Sequence, residues 1–177
     1  SFDELEPLLK KALAQEADAE TAERGVVAYG IARAADLLSA QYGLVATNVP
    51  YLKRGSQEKG LKEWLSQNHS RGKADLATAF VERCLDLCRS DSHKNGSIAL
   101  VSPQNWLYQT SYKKMRNYIL KSRTWNFVAR LGPRAFETIG GEVVSVALTS
   151  LTRSIPSEDV MMSSITAVEG EHATQTR

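Results

Sequence analysis

Two short apolar segments, residues 42–47 and 97–101, constrain the fold of this chain more than any other feature of its sequence. Neither segment alternates apolar with polar side chains, a pattern typical of strands buried on both faces of a parallel sheet. Between them, residues 75–88 repeat apolar side chains at helical spacing. A strand, a helix and a second strand in this order predict an α/β fold with a mainly parallel sheet and flanking helices.

The remaining segments extend this pattern in both directions. The 177 residues divide into a helical segment at 1–41, an α/β part at 42–153 and a tail at 154–177 that is rich in Ser, Thr and Glu. In the helical segment, Val27, Ile31 and Leu38 are expected to point inward. Periodicity predicts the further elements: helices at 3–16, 22–39, 61–67 and 111–121, and strands at 125–131 and 143–151.

The charged residues are unevenly distributed. The formal net charge is only +2, yet residues 92–136 carry eight Lys or Arg side chains and no acid. One face that meets a polyanion would explain this asymmetry, and so would an ordinary solvated surface. No apolar run approaches the roughly 18 residues that a membrane helix needs, so no membrane partner is expected.

Cys84 and Cys88 are the two cysteines of the chain. A lone pair of thiols four residues apart, in a chain with three histidines, is a poor zinc site, and no metal is expected. We interpret them as reduced core residues on one helical face. Without a disulfide framework, the expected compartment is a reducing cytoplasm.

Polar residues follow both of the leading strands. Asn48-Val49-Pro50-Tyr51 ends the first strand, and the stretch 102–106 (Ser-Pro-Gln-Asn-Trp) ends the second. The carboxyl ends of neighbouring parallel strands meet at one edge of a sheet, where ligands bind in open α/β folds. The two strand ends are therefore predicted to carry the working residues.

The first of these strand ends is similar to the Asn-Pro-Pro-Tyr motif of bacterial DNA adenine-N6 methyltransferases of the restriction-modification and phage-defence type. The similarity continues in order through residues 72–87, which resemble the Ala-Asp-Leu helix of that family. Residues 96–107 resemble its next strand, residues 112–120 its next helix, and 143–151 with Phe136 its closing strand. The resemblance implies that residues 42–153 are the catalytic half of a partial Rossmann-like class I methyltransferase fold.

The resemblance also implies a chemistry. The side-chain oxygen of Asn48 and the carbonyl of Val49 would accept hydrogen bonds from the amine of an adenine flipped out of double-stranded DNA. Tyr51 would stack on that base. The family has proline at the second position, so Val49 loses a fixed φ, although Pro50 still restricts Val49. The methyl donor would be S-adenosylmethionine.

Other residues have two possible roles. Asp75 is expected to cap the helix that follows it, and by resemblance it also lies near the methyl donor. Trp64 and Trp106 could stack on bases or fill the core, and His69 and His93 are expected in solvated loops. Six cations are candidate phosphate contacts of the DNA: Lys53, Arg54, Lys59, Lys113, Lys114 and Arg116.

The glycine loop that binds the donor in this family has no match before residue 42. We therefore expect the chain to hold the second half of a larger methylase, inactive alone and prone to self-association through an exposed sheet edge. Two alternatives stay open. One is a non-catalytic nucleic-acid-binding module derived from a methylase, and the other is a methylase of RNA or of protein glutamine.

Overall fold

The computed structural model describes residues 6–8, 11, 19–91, 94–132 and 144–167. Within the chain, residues 1–41 and 42–177 are two compact units. The predicted helix at 3–16 lies mostly outside the described residues, as do His93, Phe136 and the first residue of the predicted strand at 143–151. None of the helices in the described ranges has the length and apolar character needed to cross a membrane.

The first unit contains helix α1, Ala19–Ser39, close to the predicted bounds. The prediction that Val27, Ile31 and Leu38 point inward was wrong, because their exposed fractions are 56%, 66% and 56%. The apolar side chains of α1 are distributed around the helix, with the adjacent Val26 also 62% exposed. A helix of this kind has no single narrow apolar face that would identify its buried side.

The second unit is a five-stranded sheet in the order β1-β2-β4-β3-β5. β1 pairs with β2 and β3 pairs with β5 in parallel, whereas β4 is antiparallel to both of its neighbours. Four strands therefore run in one direction, which confirms the predicted α/β fold with a mainly parallel sheet. The strands are Leu44–Asn48 (β1), Ser97–Pro103 (β2), Thr124–Gly132 (β3), Val146–Thr152 (β4) and Ser163–Thr166 (β5).

Three helices join the strands: α2 (Lys59–Asn68), α3 (Leu76–Leu87) and α4 (Lys113–Ser122). The core lies on the sheet face that α3 covers, where Ile98, Leu100, Val81 and Leu85 are almost fully buried. Burying each such side chain stabilises the fold by roughly 1.5–3 kcal/mol. The helices predicted at 61–67, 75–88 and 111–121 are confirmed within two residues at each end.

The prediction that β1 is buried on both faces was wrong. β1 lies at the edge of the described sheet, and Leu44 is 63% exposed. Ala46 and its β2 partner Ala99 are also exposed. Alternate residues of a strand point to opposite faces, so α3 covers one set of side chains and leaves the other set open. Within the polar tail, β5 extends the sheet beside β3.

Candidate active site

The tetrapeptide Asn48-Val49-Pro50-Tyr51 begins where β1 ends. Asn48 is the last residue of the strand, paired with Val101 of β2, and its side chain is exposed. The hydroxyl of Tyr51 donates a hydrogen bond to Asn48 Oδ1 at 3.5 Å. This places the amide oxygen and the aromatic ring of the motif next to each other.

Val49 anchors the motif to the core. Its side chain is 3% exposed and belongs to the hydrophobic cluster beneath the sheet. Its backbone N–H donates to the carbonyl oxygen of Val101 at 3.2 Å, which continues the hydrogen-bond ladder of β1 one residue past the strand. The peptide plane between Asn48 and Val49 is therefore fixed by a hydrogen bond as well as by packing.

Asp75 ties the residues after the motif to helix α3. Its Oδ1 accepts hydrogen bonds from the backbone N–H groups of Ala77 at 2.9 Å and Leu52 at 3.2 Å. The first bond is the N-cap of α3, which confirms the predicted capping role. The second connects that cap to the residue directly after Tyr51. The carbonyl of Leu52 in turn accepts from Leu76 N at 3.0 Å, so the two segments are joined in both directions.

A cleft of about 390 Å³ opens at the carboxyl ends of β1 and β2. Tyr51 reaches it from the first strand end, and Pro103, Gln104 and Asn105 reach it from the second. The two strand ends thus meet in one site, as the sheet rule predicts. Asn48 is adjacent to the cleft through Tyr51 rather than among its lining residues. The other lining residues are Leu52, Lys53, Ser56, Asp75, Tyr108, Val144 and Ser145.

The environment of Tyr51 raises the pKa of its phenol. Burial raises the pKa of Tyr51 above its ordinary value, and the negative charge of Asp75 raises it further. The same two causes, in the same order, raise the pKa of Tyr112. Because the phenol of Tyr51 stays protonated at neutral pH, it can donate to Asn48 Oδ1 while its ring remains available for stacking on a flat ligand.

The six predicted phosphate contacts fall into two groups. Arg54 and Arg116 bind their own chain: Arg54 donates to Ser66 Oγ at 3.2 Å, and Arg116 donates to the carbonyls of Trp106, Tyr108 and Gln109. Both arginines therefore brace loops near the cleft. The four lysines are exposed, and among them Lys53 lines the cleft and Lys59 lies 4.0 Å from Glu63.

The three candidate residues Trp64, Trp106 and His69 lie outside the cleft. Trp106 is fully buried and donates from Nε1 to Ser102 Oγ at 3.0 Å, so it is a core residue, whereas Trp64 is 52% exposed. The prediction of a solvated His69 was wrong. It is 8% exposed, and its Nδ1 lies 3.7 Å from the Glu82 carboxylate. Burial of that carboxylate on α3 requires a polar partner, which the loop supplies.

Cys84 and Cys88 are buried and free, as the sequence predicted. Burial raises the pKa of Cys84 to about 11, with a smaller contribution from Cys88. A thiol with this pKa is almost entirely protonated at neutral pH and is a weak nucleophile. No group of three or more His, Cys, Asp or Glu residues in the described part of the chain is arranged to hold a metal ion.

Sequence reasoning missed two residues around the cleft, Tyr108 and Arg130. Tyr108 lines the cleft, and Arg130 Nε donates to Gln104 Oε1 at 3.2 Å. Gln104 and Asn105 could be found from the sequence, because both directly follow β2. No comparable signal identifies Arg130, because it approaches from β3 across the sheet order.

The chain is similar to a known protein family and to several known proteins. The family model described as Eco57I restriction-modification methylase matches residues 2–136. The chain is 35% identical over 114 residues to the adenine-specific methyltransferase PglX of Lacticaseibacillus casei (strain Zhang), covering 63% of the chain and 9% of PglX. It is 32% identical over 132 residues to the adenine-specific methyltransferase BrxX of Escherichia coli O9:H4 (strain HS), covering 75% of the chain and 11% of BrxX. The chain thus spans about a tenth of the length of these relatives.

A solved structure shows the same fold. The chain superposes with a TM-score of 0.52 on a Listeria monocytogenes protein assigned to the class I S-adenosylmethionine-dependent methyltransferases. The match covers 72% of this chain and 38% of that chain, at 12% sequence identity. The predicted class I methyltransferase fold is therefore confirmed.

Proposed function

Because the chain belongs to the Eco57I restriction-modification methylase family, we propose that it supplies the catalytic strand ends of a methyltransferase that acts on N6 of adenine in DNA. The observation that carries the proposal is the contact between Asn48 Oδ1 and the Tyr51 hydroxyl, at the end of β1 and beside the cleft. These two side chains supply a fixed acceptor and a flat aromatic surface, the two features that an adenine with a reactive amine requires.

The reaction depends on the lone pair of the adenine amine, which is delocalised into the ring. Asn48 Oδ1 and the carbonyl of Val49 accept hydrogen bonds from the two N–H groups of that amine, which directs its lone pair out of the ring plane. Tyr51 stacks on the flipped base, and such stacking contributes roughly 1–3 kcal/mol per base. These residues act by orientation and electrostatics, with no covalent intermediate on the protein.

S-adenosylmethionine supplies the methyl group when bound. Asp75 is the acidic side chain among the residues that line the cleft, and its Oδ1 is engaged by two backbone amides. We therefore propose that Asp75 contacts the methyl donor through Oδ2 alone. Tyr51 and Tyr108 supply aromatic rings to the cleft, Gln104 and Asn105 supply amides and Lys53 supplies a cation, groups that suit a base and a phosphate.

The DNA-binding part of the proposal relies on the exposed lysines. Lys53 lines the cleft, and Lys113 and Lys114 occupy the first turn of α4, which has no acidic residue. Cations at the amino end of a helix oppose its dipole and cost roughly 0.3–1 kcal/mol each. Contact with DNA phosphates would compensate for that cost. Arg54 and Arg116 contribute indirectly, by holding loops beside the cleft.

Self-association is a further part of the proposal. The exposed strand edge of β1, with Leu44 and Ala46 open on one face, would pair with a second copy. Light scattering that finds only monomers at micromolar concentration would contradict it. The free thiols of Cys84 and Cys88 fit the reducing cytoplasm that we propose as the compartment.

The test of the function is methyl transfer from labelled S-adenosylmethionine to DNA, measured with the whole protein that carries this chain. Asn48→Ala should abolish label in N6-methyladenine, because the amine loses its side-chain acceptor. Asn117→Ala is the matched control, since Asn117 is an exposed asparagine on α4, and it should keep full activity. RNA and glutamine-containing peptides in the same assay test the other two substrate classes.

Two results would count against the proposal. If the folded protein binds DNA in a salt-dependent manner and transfers no methyl group, the chain is a non-catalytic binding module. If Asn48→Ala retains the activity of Asn117→Ala, the chemistry lies elsewhere in the protein.

A further inference from the structure

Gln104 is held rigidly at the mouth of the cleft. It directly follows β2 as the first residue of the 3₁₀ turn Gln104–Leu107, and it is only 9% exposed. Its backbone N–H donates to Ser145 O at 2.9 Å, which ties the turn to the segment before β4. A polar side chain with so little exposure, lining a cleft rather than filling the core, is positioned for a ligand.

Arg130 determines which way the Gln104 amide faces. Its Nε donates to Gln104 Oε1 at 3.2 Å, across the sheet from β3. A guanidinium has only donors, so the amide oxygen must face Arg130 and the NH₂ group must point away from it. The group that Gln104 presents to a ligand in the cleft is therefore a hydrogen-bond donor.

A donor fixed in this position selects among flipped bases. Adenine carries a lone pair on N1, beside the carbon that bears its amine, whereas guanine N1 and thymine N3 carry hydrogens that would oppose the NH₂ group. Cytosine N3 also has a lone pair beside the carbon that bears its amine, so the same donor would accept cytosine. The donor therefore opposes guanine and thymine, and adenine satisfies both the amine acceptors and the donor.

We propose that Gln104, oriented by Arg130, donates a hydrogen bond to N1 of the flipped adenine and is a specificity-determining residue of the reaction. The proposal rests on the proposed function, because it requires an adenine in the cleft. It assigns Arg130 a positioning role, since its guanidinium acts on the base through Gln104.

The experiment uses DNA in which the methylated adenine is replaced by 1-deazaadenine or 7-deazaadenine, each lacking one ring acceptor. For each base, kcat/KM is measured with the wild-type whole protein and with Gln104→Leu, which keeps the side-chain size. The preference for adenine over 1-deazaadenine should be about five- to tenfold greater in the wild type than in the variant, the effect of one neutral hydrogen bond. Comparing the two ratios cancels the intrinsic reactivity of the altered base.

Arg130 supplies the second variant. Arg130→Ala should reduce the same preference severalfold, because the amide of Gln104 is then free to rotate. Arg130 is exposed, so this variant should unfold at the wild-type temperature, and the proposal stays testable if Gln104→Leu folds poorly.

Three outcomes would overturn the proposal. An equal preference in wild type and both variants would show that Gln104 does not read the base. If instead the preference for adenine over 7-deazaadenine differed between wild type and variants, Gln104 would donate to N7. Guanine also has an acceptor at N7, so this bond could not distinguish adenine from guanine. Loss of stability without a change in preference would give Gln104 a structural role. Each result is distinct from a failure of the proposed function, in which the wild type transfers no methyl group to adenine.

Discussion

Replacing Asp75 with alanine removes one oxygen atom that two segments share. Asp75 is 4% exposed, and Oδ1 accepts from Ala77 N at the start of α3 and from Leu52 N directly after the motif. Both amides lose their acceptor in the same substitution. The helix then lacks its cap, and the chain after Tyr51 loses a connection to the helix behind it.

The expected cost follows from these two bonds. Loss of an N-cap carboxylate destabilises a protein by roughly 0.5–2 kcal/mol. Leaving the partly buried amide of Leu52 without an acceptor adds roughly 1 kcal/mol. The sum is about 1.5–3 kcal/mol, and for a chain of this size that lowers Tm by about 3–12 °C.

Urea unfolding of the chain, followed by tryptophan fluorescence, measures this cost, with Asp75→Asn as the matched control. Asparagine keeps an oxygen in the Oδ1 position, so it should lose less than about 1 kcal/mol. It also removes the charge that raises the pKa of Tyr51, so that pKa should fall while the effect of burial persists. If Asp75→Asn were as destabilising as Asp75→Ala, the charge rather than the shared acceptor would be responsible, and the reasoning would be refuted.

Three further substitutions test the scaffold. Gly72→Ala should destabilise the chain by about 1–3 kcal/mol in urea unfolding, because the new Cβ would lie 2.6 Å from the backbone oxygen of Thr78. The control is Gly60→Ala in α2, whose Cβ meets nothing within 4 Å, so it should be neutral or stabilising. Equal effects of the two substitutions would contradict this account. Burial raises the pKa of Glu82 in the folded state, so the free energy of unfolding of the wild type falls as the pH rises through that pKa. Glu82→Gln lacks this titration and should gain stability relative to wild type as the pH rises from the ordinary carboxyl value of 4.5 through the raised pKa of Glu82, whereas a relative loss would show that His69 and Arg71 outweigh desolvation.

The parts of the site that sequence could predict are those that depend on local order along the chain. The N-cap role of Asp75 follows from its position before an apolar-periodic helix, and its structure bears this out. The meeting of the two strand ends follows from parallel β1 and β2, because such strands present their carboxyl ends at the same edge. Neither inference needs knowledge of distant contacts.

The parts that sequence could not predict depend on contacts between distant elements. The burial of His69 depends on Glu82 of α3, thirteen residues away. The bond between Arg130 and Gln104 crosses from β3 to the end of β2, past β4 in the sheet order. The exposure of Leu44 follows from the position of β1 at the edge of the described sheet, and an apolar run alone cannot distinguish an edge strand from a central one.

Val49 illustrates how a departure from a motif can be compensated by packing. Proline at this position would fix φ but could not donate the hydrogen bond that Val49 N makes to Val101 O. Because proline restricts the unfolded chain, proline at position 49 would stabilise the fold by roughly 0.4–1 kcal/mol. The ladder hydrogen bond contributes roughly 0.5–1.5 kcal/mol, and burial of the valine side chain adds more. The sheet therefore fixes the Asn48–Val49 peptide, while the carbonyl of Val49 lies in the next peptide, where the buried valine side chain and the restriction imposed by Pro50 limit its orientation.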